Sequence, residues 1–373
     1  MEDSRSNARL EALTQFTQTF TWAESRIVID EYPILLTAAM DPFLTELESM
    51  NDGNESSLRL IRQHRDMLVA CRRDGVDAAF SVALTDSSQL RTLAGQLDQL
   101  RKEGDHSRLA RVARAAILVC LQTGATRRIL DWHIELANSL LEQGFDDPRR
   151  VEEMIPVLEG IARVYASQPA SRDWAWAQHN LGAAFAAKES GGKEENLRRS
   201  IEHHLQSLKG YTRTEAPLDW AEAHYNLGHR YNDLSSGDSV QNCESTITHF
   251  ESCLEELERD SNREWWAIAH MEAGVALLDR VRGKRSDNIE RAIDHLAKAQ
   301  EVYTRTAFSS MWAMLQYHLG YAFSDRIRGD RSDNLEKSIG FFHNALEEPT
   351  IEYHYATLHQ QLPPSAESES ELP

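Results

Sequence analysis

Fifteen histidines and four cysteines carry the most obvious chemistry in this 373-residue chain, so their spacing is the first test. There is no HExxH, no CxxC and no Glu-x-x-His pair of the kind that holds zinc or a di-iron centre. His203 and His204 are adjacent and point to different faces of a helix; His224 and His229 are five apart and straddle Gly228. Cys71, Cys120, Cys243 and Cys253 are too few and too scattered for a disulfide framework. Cys243 and Cys253 sit ten apart on one predicted helix, about 15 Å by helical rise, too far to bridge or share a metal. Their apolar surroundings read as buried, inert thiols. No G-x-S-x-G elbow and no G-x-x-x-x-G-K-[ST] phosphate loop occurs. Neither a metal nor another cofactor is therefore expected. Two constellations remain. One is His64, Arg65, Asp66, Cys71 and Arg72 on a single predicted helix, where Arg65 and Arg72 share a face; an enzyme or enzyme subunit with its site here is one reading of the chain. The other is the basic loop series Arg280, Arg282, Lys284, Arg285 and then Arg326, Arg328, Arg331. It could dock an acidic ligand, but local pairing with Asp279, Asp287, Asp325, Asp330 and Asp333 is the simpler reading.

Which elements position these groups follows from composition and period. Asp plus Glu number 59 against 40 Lys plus Arg, a formal charge of −19, so no basic field exists to draw nucleic acid or an anionic membrane. The apolar runs Ile34–Met40 and Ala115–Leu121 fall far short of the ~20 residues of a membrane span. MEDSRSNARL contains no apolar stretch of a signal peptide, and a cytoplasmic location is expected. Few glycines and prolines argue for helices. The four tryptophans Trp174, Trp220, Trp266 and Trp312 stand 46 residues apart, as do Gly182, Gly228, Gly274 and Gly320. The same step relates Asn196, Asn242, Asn288 and Asn334, and Ile201, Ile247, Ile293 and Ile339. Each copy reads as two helices of about 16 residues, neither able to bury its apolar stripe alone, so copies must stack. The mid-helix glycine costs about 1 kcal/mol against alanine, which implies a neighbouring helix too close for a Cβ. Asp287 with Glu290, and Asp333 with Glu336, have capping-box spacing. The tryptophans read as packing wedges.

The expected organisation is an all-α, right-handed α-solenoid of helical hairpins behind a helical N-terminal leader. Residues 1–12 are expected to be disordered, 13–85 to form the leader, 86–125 a helix pair, and 126–171 a degenerate hairpin. Repeats follow at 172–217, 218–263, 264–309 and 310–348, then a capping helix at 349–362 and a disordered acidic tail at 363–373. Within the leader, helices are predicted from Thr21-Trp-Ala-Glu24, over Leu35–Met50, over Leu58–Arg73 with Gly75 as its stop, and around Asp77–Leu84.

NLGAAF at 180, NLGHRY at 226 and HLGYAF at 318 resemble the core of the first helix of a tetratricopeptide repeat, lengthened here from the usual 34 residues by the inter-helix loop. SDRIRGDRSDNLEKSI (324–339) and VYTRTAF (302–308) are similar to extended repeats of bacterial proteins that often end in a caspase-like CHAT peptidase domain. FTQTFTWAESRIVIDEYPILL (16–36) and HRDMLVACRRDGVDAAF (64–80) resemble the segment that precedes such repeats. The resemblance spans roughly 16–85 and 126–348. Only 25 residues follow residue 348, so the peptidase activity is not carried over with it.

The resemblance implies a concave groove lined by the first helices. Three residues before each glycine lie His179, Tyr225, Met271 and Tyr317; two before it Asn180, Asn226, Glu272 and His318. One after it lie Ala183, His229, Val275 and Tyr321; four after it Ala186, Asn232, Leu278 and Ser324. This mixture of aromatic, amide and apolar groups suits a peptide or helix held by stacking and amide bonds, not a Lys/Arg clamp on a terminal carboxylate. The expected groove residues are His179, Asn180, Tyr225, Asn226, His229, Asn232, Met271, Tyr317, His318 and Tyr321. The expected function is a non-catalytic interaction scaffold for a protein or peptide partner, an adaptor in a signalling or caspase-like peptidase system.

Overall fold

The computed structural model describes residues 2–19, 21–51, 55–81, 83–125 and 128–347. The capping helix and acidic tail expected over 349–373 lie outside them. Among the described residues there are seventeen α-helices and no strand. The chain divides into two compact units, Met1–Val164 and Tyr165–Pro373. The division falls inside the stretch 126–171 expected to form one hairpin.

The first unit holds α1 (Glu2–Thr17), α2 (Trp22–Glu31), α3 (Asp41–Met50), α4 (Glu55–Asp74), α5 (Val76–Phe80), α6 (Gln89–Glu103), α7 (His106–Thr123), α8 (Ile129–Glu142) and α9 (Pro148–Val164). The chain expected to be disordered up to residue 12 is helical from Glu2. The anchor is Ala12, Leu13 and Phe16, all buried, at the one-turn spacing that puts them on a single face. Thr21 caps α2 by accepting from the Glu24 amide, while Thr21 Oγ1 donates to Glu24 Oε2. The helix expected over Leu35–Met50 begins only at Asp41. Pro33–Leu36 and Ala38–Met40 are short 3-10 turns, and Thr37 between them is extended. Pro42 explains the late start, since proline lacks an amide and fits the first turn of a helix but not its interior. Gly75 ends α4 with φ +87°. Arg114 of α7 makes a two-pronged bond to Glu153 of α9 at 2.6 and 2.7 Å, and Arg111 reaches Glu31 of α2 at 2.8 Å.

The second unit is four helix pairs: α10 (Arg172–Ala187) with α11 (Lys193–Ser207), α12 (Pro217–Asp233) with α13 (Ser239–Leu254), α14 (Arg263–Asp279) with α15 (Arg285–Gln300), and α16 (Ser309–Asp325) with α17 (Arg331–Leu346). Each pair packs tightly within itself, and the second helix of each packs on the first helix of the next. The periodic residues occupy equivalent places. A Cβ on Gly182 would lie 2.7 Å from the His204 ring, on Gly228 2.8 Å from Phe250, on Gly274 2.9 Å from Leu296 and on Gly320 2.8 Å from Phe342. The glycine is thus the point of closest approach inside each hairpin. The asparagine holds the loop: Asn288 Nδ2 donates to the carbonyls of Arg280 and Arg282, at 3.1 and 2.9 Å. Asn196, Asn242 and Asn334 make the same two bonds in their own loops. The loop turns on Gly191, Gly237, Gly283 and Gly329, with φ between +80° and +85°, a region that favours glycine. Asn196, Asn288 and Asn334 are buried and Asn242 is half-buried, and unmet carbonyls there would cost about 1–3 kcal/mol.

Caps differ from the expected Asp287 and Asp333 pattern. The second helices start earlier, and Asp238 and Asp330 cap α13 and α17 by accepting two backbone amides each. Two ion-pair series follow the period. Arg213–Glu255 (2.6 Å), Arg259–Glu301 (2.8 Å) and Arg305–Glu347 (2.6 Å) join the start of a hairpin to its own end. Arg280–Glu244 and Arg326–Glu290, each through two bonds of 2.8–2.9 Å, join a hairpin to the one before it. Trp220 and Trp312 lie under Arg213 and Arg305, 6.0 and 5.4 Å from the ring centroids.

Candidate interaction surface

The rows chosen around each glycine face two ways, and helical angle decides which. Residues three before the glycine lie close to its own face, which is pressed on the second helix. His179 accordingly packs on His204 and Tyr211, with ring centroids at 5.0 and 5.9 Å. Tyr225 packs on Phe250 and Tyr317 on Phe342, both at 5.8 Å. Met271 is 1% exposed and His179 8%, so these two sit in the hairpin interior and offer no surface to a partner. Tyr225 and Tyr317 are half-buried.

Residues two before the glycine lie on the opposite side of the first helix from it, and residues one after it lie about 100° around the helix. Here lie Asn226, half-buried, and Asn180, which donates to its own Trp176 carbonyl at 2.8 Å. His229 stands edge-on to Tyr225 at 4.6 Å and to Phe250 at 5.2 Å, and Trp265 adds a further edge contact to Tyr225 at 6.3 Å. His318 is partly buried, and burial pushes it down to about 4, so it is neutral at pH 7. Tyr321 is 43% exposed and Asn232 is exposed. Eight of the ten expected residues therefore retain some accessible surface.

Glu272 belongs to the same row but was not among the expected contact residues. Burial and the neighbouring Asp233 push its carboxyl up to about 7. Among the described residues no hydrogen bond or ion pair compensates this cost. The signal was available, since Glu272 is the one acidic residue in a row otherwise formed by Asn180, Asn226 and His318.

A second periodic feature also escaped the sequence reading. His224 Nδ1 meets His249 Nδ1 at 2.9 Å, and His270 Nδ1 meets His295 Nδ1 at 2.8 Å. In the first hairpin Gln178 takes the same place and pairs with His203 at 2.7 Å. Two imidazoles can share such a bond only when one donates and the other accepts. Burial pushes His224, His249 and His295 down to about 4 and His270 to about 3. Among the described residues no third His, Cys, Asp or Glu joins them in a metal-holding group. The signal was the pair of 25-residue separations repeated one period apart.

The leader constellation does not converge. His64 is buried between Phe16 and Trp22, its Nδ1 donating to the Leu60 carbonyl at 2.9 Å and its Nε2 3.2 Å from Thr19 Oγ1. Arg65 and Arg72 turn to α3, bonding Glu48 at 2.9 Å and Asp41 at 2.9 Å. Asp66 is exposed and Cys71 is buried, its thiol raised by burial. Of these five, His64 borders a cleft of about 330 Å³ with Thr19, Thr21, Ser25 and Gln89. The basic loop series is largely consumed by the stack. Arg285 and Arg328 bind the expected acids Asp325 and Asp287, at 2.7 and 2.5 Å, while Arg280 and Arg326 bind Glu244 and Glu290. Cys120, Cys243 and Cys253 are raised by burial, Cys253 to about 12. No helix of the described residues is long and apolar enough to cross a membrane.

No protein-family model matches the chain, and no curated protein matches it in sequence.

Proposed function

We propose that the second unit is an interaction scaffold of extended tetratricopeptide type, a right-handed superhelix that holds a peptide or protein segment across its first helices. The observation that carries this reading is the pair of rows two before and one after each glycine. Asn226, Glu272 and His318 hold one equivalent position on consecutive hairpins, and His229 and Tyr321 hold another. The side chains around them are already fixed. His229 and Tyr225 are locked against Phe250, so little rotamer freedom is left to lose when a ligand arrives. A partner segment would use aromatic stacking at Tyr321 and amide bonds at Asn226 and Asn232. A basic side chain opposite Glu272 would restore that carboxylate's charge. The corrected groove set leaves out His179 and Met271.

The resemblance to repeats that precede a caspase-like peptidase domain makes a separately encoded signalling or peptidase component a candidate partner. The test is cross-linking capture from the native cell, comparing the unaltered chain with a Tyr321→Ala/Asn232→Ala/Glu272→Gln variant whose far-ultraviolet circular dichroism is unchanged. Loss of specific partners supports the reading. Recovery of the same partners in the same amounts removes it.

A further inference from the structure

Two of the three internal junctions of the second unit, α13 with α14 and α15 with α16, are built from the same parts; in the third, α11 with α12, Arg198 and Leu234 stand where these have Glu and Arg. On α13, Ile247 and Cys243 pack under α14, and Glu244 takes both prongs of Arg280, the residue just after that helix. On α15, Ile293 packs in the same cluster as Leu315 and Leu319 of α16, Ile289 one turn before it is fully buried, and Glu290 takes both prongs of Arg326, again the first residue after the covering helix. Two residues further on, Arg282 reaches Gln241 at 3.4 Å, and Arg328 reaches Asp287 at 2.5 Å. The covering element is therefore an apolar helix followed by Arg-x-Arg, RVR in one junction and RIR in the next.

The outer face of α17 repeats the receiving half of this junction. Leu335 and Ile339 correspond to Ile289 and Ile293, and Glu336 and Asp333 to Glu290 and Asp287. Ile247 and Ile201, which match Ile339, are 4% and 7% exposed; Ile339 is 60% exposed and Leu335 39%. Among the described residues no cation pairs with Glu336 or with the Asp333 carboxylate.

We propose that this face of α17 docks an amphipathic helix of a partner protein whose C-terminal end is followed by Arg-x-Arg. The apolar stripe would cover Leu335 and Ile339, the first arginine would grip Glu336 with two bonds, and the second would reach Asp333. Charge complementarity selects this occupant. A second copy laid on α17 face to face would oppose Glu336 and Asp333 to their own kind. Residues 349–373 hold four Glu and no Lys or Arg, so they cannot supply the arginines.

The test uses the full chain and a fluorescein-labelled peptide of residues 309–330, which carries the α16 sequence and its Arg326 and Arg328. Fluorescence anisotropy is expected to show saturable binding that weakens at least tenfold with Ile339→Asp and with Glu336→Arg. Both changes lie on exposed positions, and unchanged melting curves exclude unfolding. A peptide with Arg326→Glu should bind the unaltered chain poorly and recover on the Glu336→Arg chain. Absence of binding, or binding indifferent to both variants, overturns the proposal. Binding that emerges only after residues 349–373 are removed assigns the face to that segment and overturns it too. So does a dimer in sedimentation velocity that Ile339→Asp abolishes. Equal affinity with and without 349–373 supports it.

Discussion

Alanine in place of the mid-helix glycines gives a prediction whose sign is fixed by geometry. In an unobstructed helix interior Gly→Ala stabilises by about 1 kcal/mol, because alanine has less backbone freedom to lose. Gly340 in α17 and Gly160 in α9 have nothing within 4 Å of where a Cβ would stand. Gly340→Ala and Gly160→Ala should therefore stabilise by up to about 1 kcal/mol. At Gly228 the new carbon would meet three ring atoms of Phe250 at 2.8–2.9 Å, and Phe250 is 1% exposed with no room to retreat. At Gly274 it would meet the branch carbon of Leu296 at 2.9 Å and the Ala292 carbonyl oxygen at 3.2 Å, which is backbone. Overpacking of this kind costs about 1–3 kcal/mol, which offsets or exceeds the helical gain. Gly228→Ala and Gly274→Ala should thus be neutral to destabilising by roughly 2 kcal/mol, without the stabilisation expected of Gly340→Ala in the same unit. Urea denaturation followed by circular dichroism reads this as shifts of the midpoint at constant slope. Phe250→Leu withdraws the ring atoms, so the double variant with Gly228→Ala should show a favourable coupling of about 0.5–3 kcal/mol. If Gly228→Ala and Gly274→Ala both stabilise as Gly340→Ala does, the hairpins are not in the close contact described.

Two further predictions concern pH. The paired histidines His224, His249, His270 and His295 are depressed by burial from 6.5 to about 4, 4, 3 and 4, so the unfolded chain binds their protons first. Their contribution is present above pH 6.5 and is lost as pH falls toward 4. Discounted for their partial solvent contact, the loss is on the order of 1 kcal/mol each, and His270→Gln/His295→Gln should flatten the acid limb of the stability profile. Glu272 has the opposite sign. Its raised carboxyl favours the folded state at low pH and penalises it as pH rises through about 7, so Glu272→Gln should add on the order of 2 kcal/mol at pH 8.5 and little at pH 5. Chemical denaturation at the two pH values checks both, and an identical change at each pH contradicts the assignment.

The hairpin period was legible because four residue types, each with a different physical duty, keep one register. Trp opens the first helix, Gly marks the closest approach, Asn ties the loop and Ile meets the next hairpin. What these residues touch was not legible. Spacing names Gly228 as a close contact but not Phe250 as its partner. The rows flanking the glycine were legible as rows, yet three-before-glycine was read as groove when its angle places it against the second helix, as Met271 shows. The start of α3 was misplaced because Pro42 was overlooked. The first helix was missed because the polar residues up to 9 masked the short anchor Ala12, Leu13 and Phe16. The histidine pairs needed a partner from another helix, which single-residue spacing on one helix cannot reveal.

The central claim is that the second unit is a stack of interchangeable hairpins, each covering its neighbour. Deleting residues 218–263 removes α12 and α13, one whole period, and brings α14 onto α11 with every glycine, asparagine and loop in register. Deleting 240–262 removes half a period and leaves α12 without its second helix. Thermal unfolding of the two deletions by circular dichroism tests the claim most directly. A cooperative, helical transition for the first and none for the second is the expected result. Equal loss of cooperativity in both would contradict the stack.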